Sequence, residues 1–300
     1  MVGKKQTNTE EIPKNFWKRF LFLKKLVKNI EQYDVVQLMS DDSIPFRIVG
    51  QFIFLRAIKN KTLIYLVAAG SDYRFATEGR RKLNIPLFDQ LEKYGERSFN
   101  SFSDFFRNYI VCRHVNGIIG FNEYFEAYRS HKKCLLPVVL PVDLSKVPFF
   151  SMDWTSRLIV FHGVQRGREG FKGSDYIKKA FDVLNEKYPD QIECISVGNV
   201  PYNEYMNIVA QCHILVDQTN CIGYGMNALI GMAMGKIVCC GSQSKSDYDK
   251  WLPLIGVTEY PPIIPVVPDV DFIISKIEGL LLNRRYLVEI GRQSRSYAEK

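Results

Sequence analysis

The sequence predicts an α/β protein of two doubly wound, Rossmann-like domains, and three observations carry that prediction. Apolar runs of strand character alternate with helical segments from Tyr33 onward. A stretch between Leu136 and Trp154 containing Pro137, Pro141 and Pro148 interrupts the alternation, which then restarts. In the second half, a glycine-rich turn at Gly223-Tyr224-Gly225 runs into an apolar helical segment, as at the carboxyl end of a strand in a parallel sheet. The expected division is residues 1–150 and 151–300, two domains facing a cleft.

In chain order the first segment is basic. Residues 1–30 carry Lys4, Lys5, Lys14, Lys18, Arg19, Lys24, Lys25 and Lys28 against Glu10 and Glu11, a local net of +6 out of the chain's +8. Phe16, Phe20, Leu23, Val27 and Ile30 recur at helical spacing, with Trp17, Leu21 and Phe22 widening the apolar side. The pattern predicts a basic amphipathic helix over 14–30. It either docks on an anionic membrane surface or packs one face on its own domain with its lysines in water. The rest of the chain is nearly balanced in charge and no nucleic-acid-binding signature accompanies the basic arm, so nucleic acid is not an expected partner.

Strands are expected at 33–39, 62–67, 117–121 and 134–140, with helical segments at 46–59, 86–111 and 123–130. After the prolines the expected order is strand 158–162, helix 174–187, strand 192–197, helix 202–211 and strand 213–216. The glycine turn and its helix follow, Gly235 ends that helix, and 236–240 reads as a buried strand. The run from Arg284 to Glu299 is helix-like.

Composition excludes several classes. A hydrophobic share of 46% over 300 residues supports folded cores and argues against disorder. Seven cysteines, odd in number, without CxxC spacing and mostly in apolar runs, predict reduced, buried thiols and a cytoplasmic location. No apolar run approaches the roughly 18 residues a membrane span needs, and the N-terminus lacks a signal-peptide arrangement. His114 and His131 have no metal-ligand spacing with the cysteines, so no metal site is expected. His162 and His213, at strand ends, read as hydrogen-bonded packing.

Two loops carry the expected chemistry. Gly223 and Gly225 let backbone approach a ligand closely, and the following helix offers unpaired N–H groups to an anion. The second loop, His162–Gly173, holds Arg166, Arg168 and Lys172 among four glycines at a strand-to-helix junction. Fixed cations there suit a diphosphate, whose negative charge grows as the bond to it breaks.

Read together and in register, three segments resemble the carboxyl-terminal, nucleotide-sugar-binding domain of GT-B-fold glycosyltransferases of the group 1, family-4-like type: His162–Gly173, Val200-Pro201-Tyr202-Asn203-Glu204-Tyr205, and Gly223–Lys236. The resemblance implies transfer of a sugar from a nucleoside-diphosphate sugar to a glycan or lipid-linked acceptor, in cell-surface polysaccharide or glycan synthesis, without a metal or other cofactor. It also implies retention of anomeric configuration. Carried over by position, Lys172 with Arg166 or Arg168 holds the diphosphate, aided by the Gly223, Tyr224, Gly225 and Met226 backbone. The implied location is cytoplasmic, peripheral on the inner face of the membrane.

Two positions depart from the family's pattern. Carboxylates that contact the donor's sugar and ribose hydroxyls fall here on Ile222 and Ile230. Losing a charged acceptor from a buried hydroxyl costs roughly 1.5–3 kcal/mol, about ten- to a hundredfold in binding or rate. Asn227, Asn220 and Gln218 are nearby polar groups able to replace part of that loss. In the first half, 33–38, 69–72 and 116–120 resemble later strands of the family's acceptor domain, but its opening strand and glycine loop have no counterpart before Tyr33. The run to Lys300 also lacks the family's crossing back to the first domain. The N-terminal domain is therefore expected to be incomplete, with both ends trimmed. These departures favour a second reading, a catalytically weak or inactive relative that binds or scaffolds. A Rossmann dehydrogenase is excluded, because no GxGxxG follows the first strand with an acidic residue about 20 positions on.

Overall fold

A computed structural model describes residues 15–43, 47–95, 97–153, 155–165, 167–241 and 245–300. Lys4, Lys5, Glu10, Glu11, Lys14, Trp154 and Arg166, named above, lie outside them, as does residue 46 at the start of the helix expected over 46–59. Helix α1 (Phe16–Ile30) precedes strand β1 (Val35–Leu38), α2 (Arg47–Ile58) and β2 (Leu63–Ala68). After a π-helical turn at Phe75–Gly79 come α3 (Arg80–Lys82), α4 (Leu87–Lys93), α5 (Phe102–His114), β3 (Gly117–Gly120) and α6 (Asn122–Tyr128). The second half runs β4 (Leu158–Val164), α7 (Glu169–Lys172), α8 (Ser174–Lys187), β5 (Ile192–Gly198), α9 (Tyr202–Gln211), β6 (Ile214–Gln218) and α10 (Met226–Ala233). It ends with β7 (Ile237–Cys240), α11 (Lys245–Trp251), β8 (Ile263–Pro265), α12 (Val270–Leu282) and α13 (Leu287–Ala298).

The chain divides into two compact units, and the division is more interleaved than a single boundary at residue 150. One unit runs up to Gly79 and adds Phe99–Gly120 and Ala127–Leu135; the other takes Arg80–Ser98, Phe121–Glu126 and Leu136–Lys300. The reason is visible in backbone and side-chain bonds within the second unit: Leu87 N–H donates to the Asn220 carbonyl at 3.1 Å, and Asn122 Nδ2 donates to the Tyr224 carbonyl at 2.8 Å.

The first unit holds a parallel sheet in the order β1-β2-β3, with Val35 opposite Leu63 and Tyr65 opposite Gly117. The expected strand at 134–140 does not form. Only Cys134 bridges to Ile118, because Pro137 has no N–H to donate. Helix α5 begins at a capping box, Ser101 Oγ accepting from Asp104 N–H at 3.2 Å while Asp104 accepts from Ser101 N–H at 3.3 Å. Asn15 caps α1, which packs on α2 with Leu23 buried and leaves Trp17 71% and Leu21 63% exposed. A buried polar network ties the unit together. Arg107 sits between Asp41, Asp42 and Asp104, and Asn108 joins Asp41 to the Tyr128 hydroxyl, which donates to Asp72. Burial, then the neighbouring Asp41 charge, pushes the Asp72 carboxyl up to about 7.

The second unit is a five-stranded parallel sheet in the order β5-β4-β6-β7-β8. Numbered within the unit this is 2-1-3-4-5, so the winding reverses between β4 and β6, and ligands of such sheets bind outside the carboxyl ends of the strands there. Helix α8 shows why these residues fold this way. Ile177, Ala180, Phe181 and Leu184 are buried at helical spacing against Leu158, Val160 and Ile192 of the sheet and Ile273 and Ile277 of α12. Asp269 caps α12 by accepting from Phe272 N–H at 2.8 Å.

Candidate functional site

The switch point carries a cavity of about 470 Å³, lined by Gly163 and Val164 at the end of β4, Gly198 at the end of β5 and Asn199 after it, Tyr205 on α9, Lys172, and Asn227 and Ile230 on α10. Lys172 closes α7, which Gly173 ends in the left-handed region at φ 71°. A Cβ at Gly173 would fall 2.0 Å from Thr219 Oγ1, so glycine lets β6's end lie against this loop, where Thr219 N–H donates to the Lys172 carbonyl at 2.9 Å. Gly163 has the same role toward Tyr205, whose hydroxyl would stand 2.5 Å from an added Cβ.

Lys172 is held in place by a residue that the sequence motifs do not single out. Its Nζ donates to Asp217 Oδ1 at 2.8 Å, with the two side chains 15% and 2% exposed. Asn227 Nδ2 donates to the same oxygen at 2.9 Å, and Tyr205 donates to Asn227 Oδ1 at 2.5 Å. Burial alone raises the Asp217 carboxyl, but the Lys172 charge and the bonds from Lys172 and Asn227 outweigh it, leaving the carboxyl below its ordinary range. The signal that could have found Asp217 is its place as the acidic end of the apolar run Ile214–Val216. Among the described residues Asp217 is the ammonium's sole partner, so two of its three N–H donors remain for a ligand.

The glycine turn is built as expected in backbone but not in side chains. Gly223 has φ 83°, donates to the Gly241 carbonyl at 3.0 Å and accepts from Gln218 Nε2 at 3.3 Å. The Tyr224 side chain turns into the core, its hydroxyl 2.9 Å from that of Tyr297. Gly225 precedes α10 with no side chain to cap it, so the first N–H groups of Met226 and Asn227 have no intrahelical partner. Of the described residues, Ile222, Gly223, Tyr224, Gly225, Met226 and Arg168 lie outside the cavity's lining. Arg168 places its guanidinium 4.2 Å from the centre of the Phe171 ring. Arg166 lies outside the described residues. Behind the turn, Glu123 is buried with its Oε2 unpartnered among the described residues, and burial pushes its carboxyl up to about 8. Among those residues no three His, Cys, Asp or Glu side chains group as metal ligands.

His162 is packing. Its Nδ1–H donates to the Val216 carbonyl at 2.8 Å, and its Nε2 accepts from Ser174 Oγ at 2.8 Å, tying β4 to β6 and to the start of α8. Burial first, with Lys172 adding, pushes it down to about 4, so the ring is neutral in the fold. An unfolded histidine takes a proton near pH 6.5. Between about pH 6.5 and 4 only the unfolded chain is protonated, so this group's stability is present above 6.5 and is lost, to about 3 kcal/mol, as pH falls to 4. Asp72 and Glu123 act in the opposite direction, since their carboxyls stay protonated in the fold to about 7 and about 8. Denaturant unfolding of wild type and His162→Gln across that window isolates the histidine. The variant's deficit should shrink as pH falls; a constant deficit would show that the ring protonates in the fold.

Two α/β units, each built on a parallel sheet and the second wound 2-1-3-4-5 with a lysine-bearing cavity at its switch point, place the molecule in the doubly wound α/β class. Solved structures agree in fold. Sucrose-phosphate synthase from Thermosynechococcus elongatus aligns over 97% of this chain and 76% of its own, at 13% identity and a TM-score of 0.60. A protein assigned as UDP-N-acetylglucosamine 2-epimerase from Listeria monocytogenes aligns over 97% and 80%, at 9% identity and 0.52. MnaA of S. aureus, solved with UDP, aligns over 96% and 76%, at 13% identity and 0.51. No family model matches the sequence, and a search of curated proteins returns no match. The chain therefore has the GT-B fold, shared by synthases and epimerases of sugars.

Proposed function

We propose that the second unit binds a nucleoside-diphosphate sugar at the carboxyl edge of its sheet and that the protein transfers the sugar to a glycan or lipid-linked acceptor. The observation that carries this reading is Lys172, locked by Asp217 yet lining the switch-point cavity beside α10. A cation with two free donors near the unpaired N–H groups of a helix start suits a diphosphate leaving group. UDP is the first nucleotide to test, since it is the one bound by the S. aureus protein of the same fold. The exposed Trp17 and Leu21 beside the lysines of α1 support docking at an anionic membrane surface.

Calorimetry of the full chain with UDP, GDP and ADP is expected to give binding with one of them, which Asn227→Ala weakens roughly tenfold by freeing Asp217 and Tyr205. Silence across the panel would sink the donor-site reading. A second reading, a binding protein without turnover, is favoured by Ile230, which lines this cavity where the family resemblance places a carboxylate. Ile230→Glu is expected to raise nucleotide-sugar turnover roughly ten- to a hundredfold if only that acceptor is missing. If Ile230→Glu binds the nucleotide but stays inert, the binding-protein reading prevails.

A further inference from the structure

The first unit contains a cavity of about 370 Å³ that none of the preceding chemistry uses. It lies where α2 and α5 end and where 131–133 leads into the Cys134 bridge, at the amino-terminal edge of the β1-β2-β3 sheet. Lys59, Arg113, Lys132 and Lys133 line it with His131 and Tyr109, and no carboxylate is among its described lining. Lys133 serves the fold, because its Nζ donates to the Arg113 and Val115 carbonyls, 2.7 Å each, and so closes the end of α5. Lys59, Arg113 and Lys132 have no such role. Among the described residues their side chains have neither a carboxylate nor a hydrogen-bond acceptor, whereas nearby Lys61 pairs with Glu31 at 2.7 Å.

Like charges gathered without a counter-charge raise the free energy of the fold, and an anion relieves it. The neighbouring groups register the crowding. Burial, then Arg74, Lys133 and Lys132, hold His131 below its ordinary range; burial, then Lys59 and Lys132, do the same to Lys133. We propose that this cavity is a binding site for a phosphate group. The Arg113 guanidinium offers a planar fork, the lysines point charges and Tyr109 a hydroxyl, a donor set that matches a dianion's oxygens. The cavity exceeds what one phosphate fills, so the group bearing it has room. Tyr109 also continues an exposed aromatic ladder along α5, its ring 6.1 Å from Phe105, with Phe102 6.5 Å beyond. The phosphate is that of an anionic lipid headgroup or of a soluble phosphate compound. The site does not rest on the nucleotide reading of the second unit.

The probe is inorganic pyrophosphate, followed through the His131 ring C–H resonance of the full chain, assigned with His131→Gln. Pyrophosphate is expected to move that resonance and raise its titration midpoint by several tenths of a pH unit, because it offsets the surrounding cations. Arg113→Glu or Lys132→Glu, both at exposed side chains, should weaken the effect roughly tenfold or more. Lys172→Ala should leave it intact. Sedimentation with phosphatidylcholine vesicles, with and without phosphatidic acid, separates the sources: phosphatidic-acid-dependent binding that Arg113→Glu weakens identifies a lipid headgroup, and a pyrophosphate response with vesicle binding absent or unchanged in Arg113→Glu identifies a soluble phosphate. The proposal falls if neither ligand acts, or if the charge reversals leave both responses unchanged.

Discussion

Lys172→Ala is expected to destabilise the protein by about 3 kcal/mol as well as to abolish nucleoside-diphosphate binding. Its partner Asp217 is 2% exposed and lies 2.8 Å away, so removing the ammonium leaves a buried carboxylate with Asn227 as its sole side-chain donor among the described residues. Breaking one side of a buried pair costs about 3–5 kcal/mol, and the lower end applies because Lys172 reaches the cavity. Without its countercharge Asp217 loses the main influence holding its carboxyl down. Urea unfolding at neutral pH checks the stability arm. The double variant Lys172→Ala/Asp217→Asn should recover most of the loss, while nucleotide binding stays absent in both. A single variant within about 1 kcal/mol of wild type would mean that the pair is not buried.

Gly241→Ala is expected to cost about 3 kcal/mol or more and to disorder the glycine turn. An added Cβ would stand 1.8 Å from the Cys221 carbonyl oxygen and 3.0 Å from its carbon. Those are backbone atoms, so no side-chain rotation relieves the overlap, and overpacking of this kind sits at the upper end of its usual range. The same residue donates to the Gln218 carbonyl at 2.8 Å and accepts from Gly223 N–H at 3.0 Å, which pins β7 to the turn. Thermal unfolding should show the loss, and any nucleotide affinity should fall with it. Wild-type stability in this variant would contradict the close approach of the two segments.

Much of the second unit was legible residue by residue. Helices α8 and α9 cover Ser174–Lys187 and Tyr202–Gln211, as their apolar spacing predicts, because that periodicity is local. Strand β6 shows where local reading stops. Polarity ends the expected strand at Val216, yet β6 continues through Asp217 and Gln218. Their polar groups are satisfied by Lys172, Asn227 and the Gly223 carbonyl, partners invisible in the run itself. The candidate site divides the same way. Lys172, Asn227 and Ile230 share one cavity, whereas the glycine turn, read as the phosphate cradle itself, stands outside its lining and contributes the start of α10.

The sequence by itself determined the alternation of strands and helices, the basic loop before α8 and the glycine turn before α10, since each rests on neighbours a few positions apart. Only the tertiary structure decided that Asp217, 45 positions from Lys172, holds that lysine at the cavity, that Gly241 must be glycine, and that four cations from distant segments surround one cavity in the first unit. The parallel crossovers of the sheets bring those residues together, and a crossover leaves no trace in local periodicity.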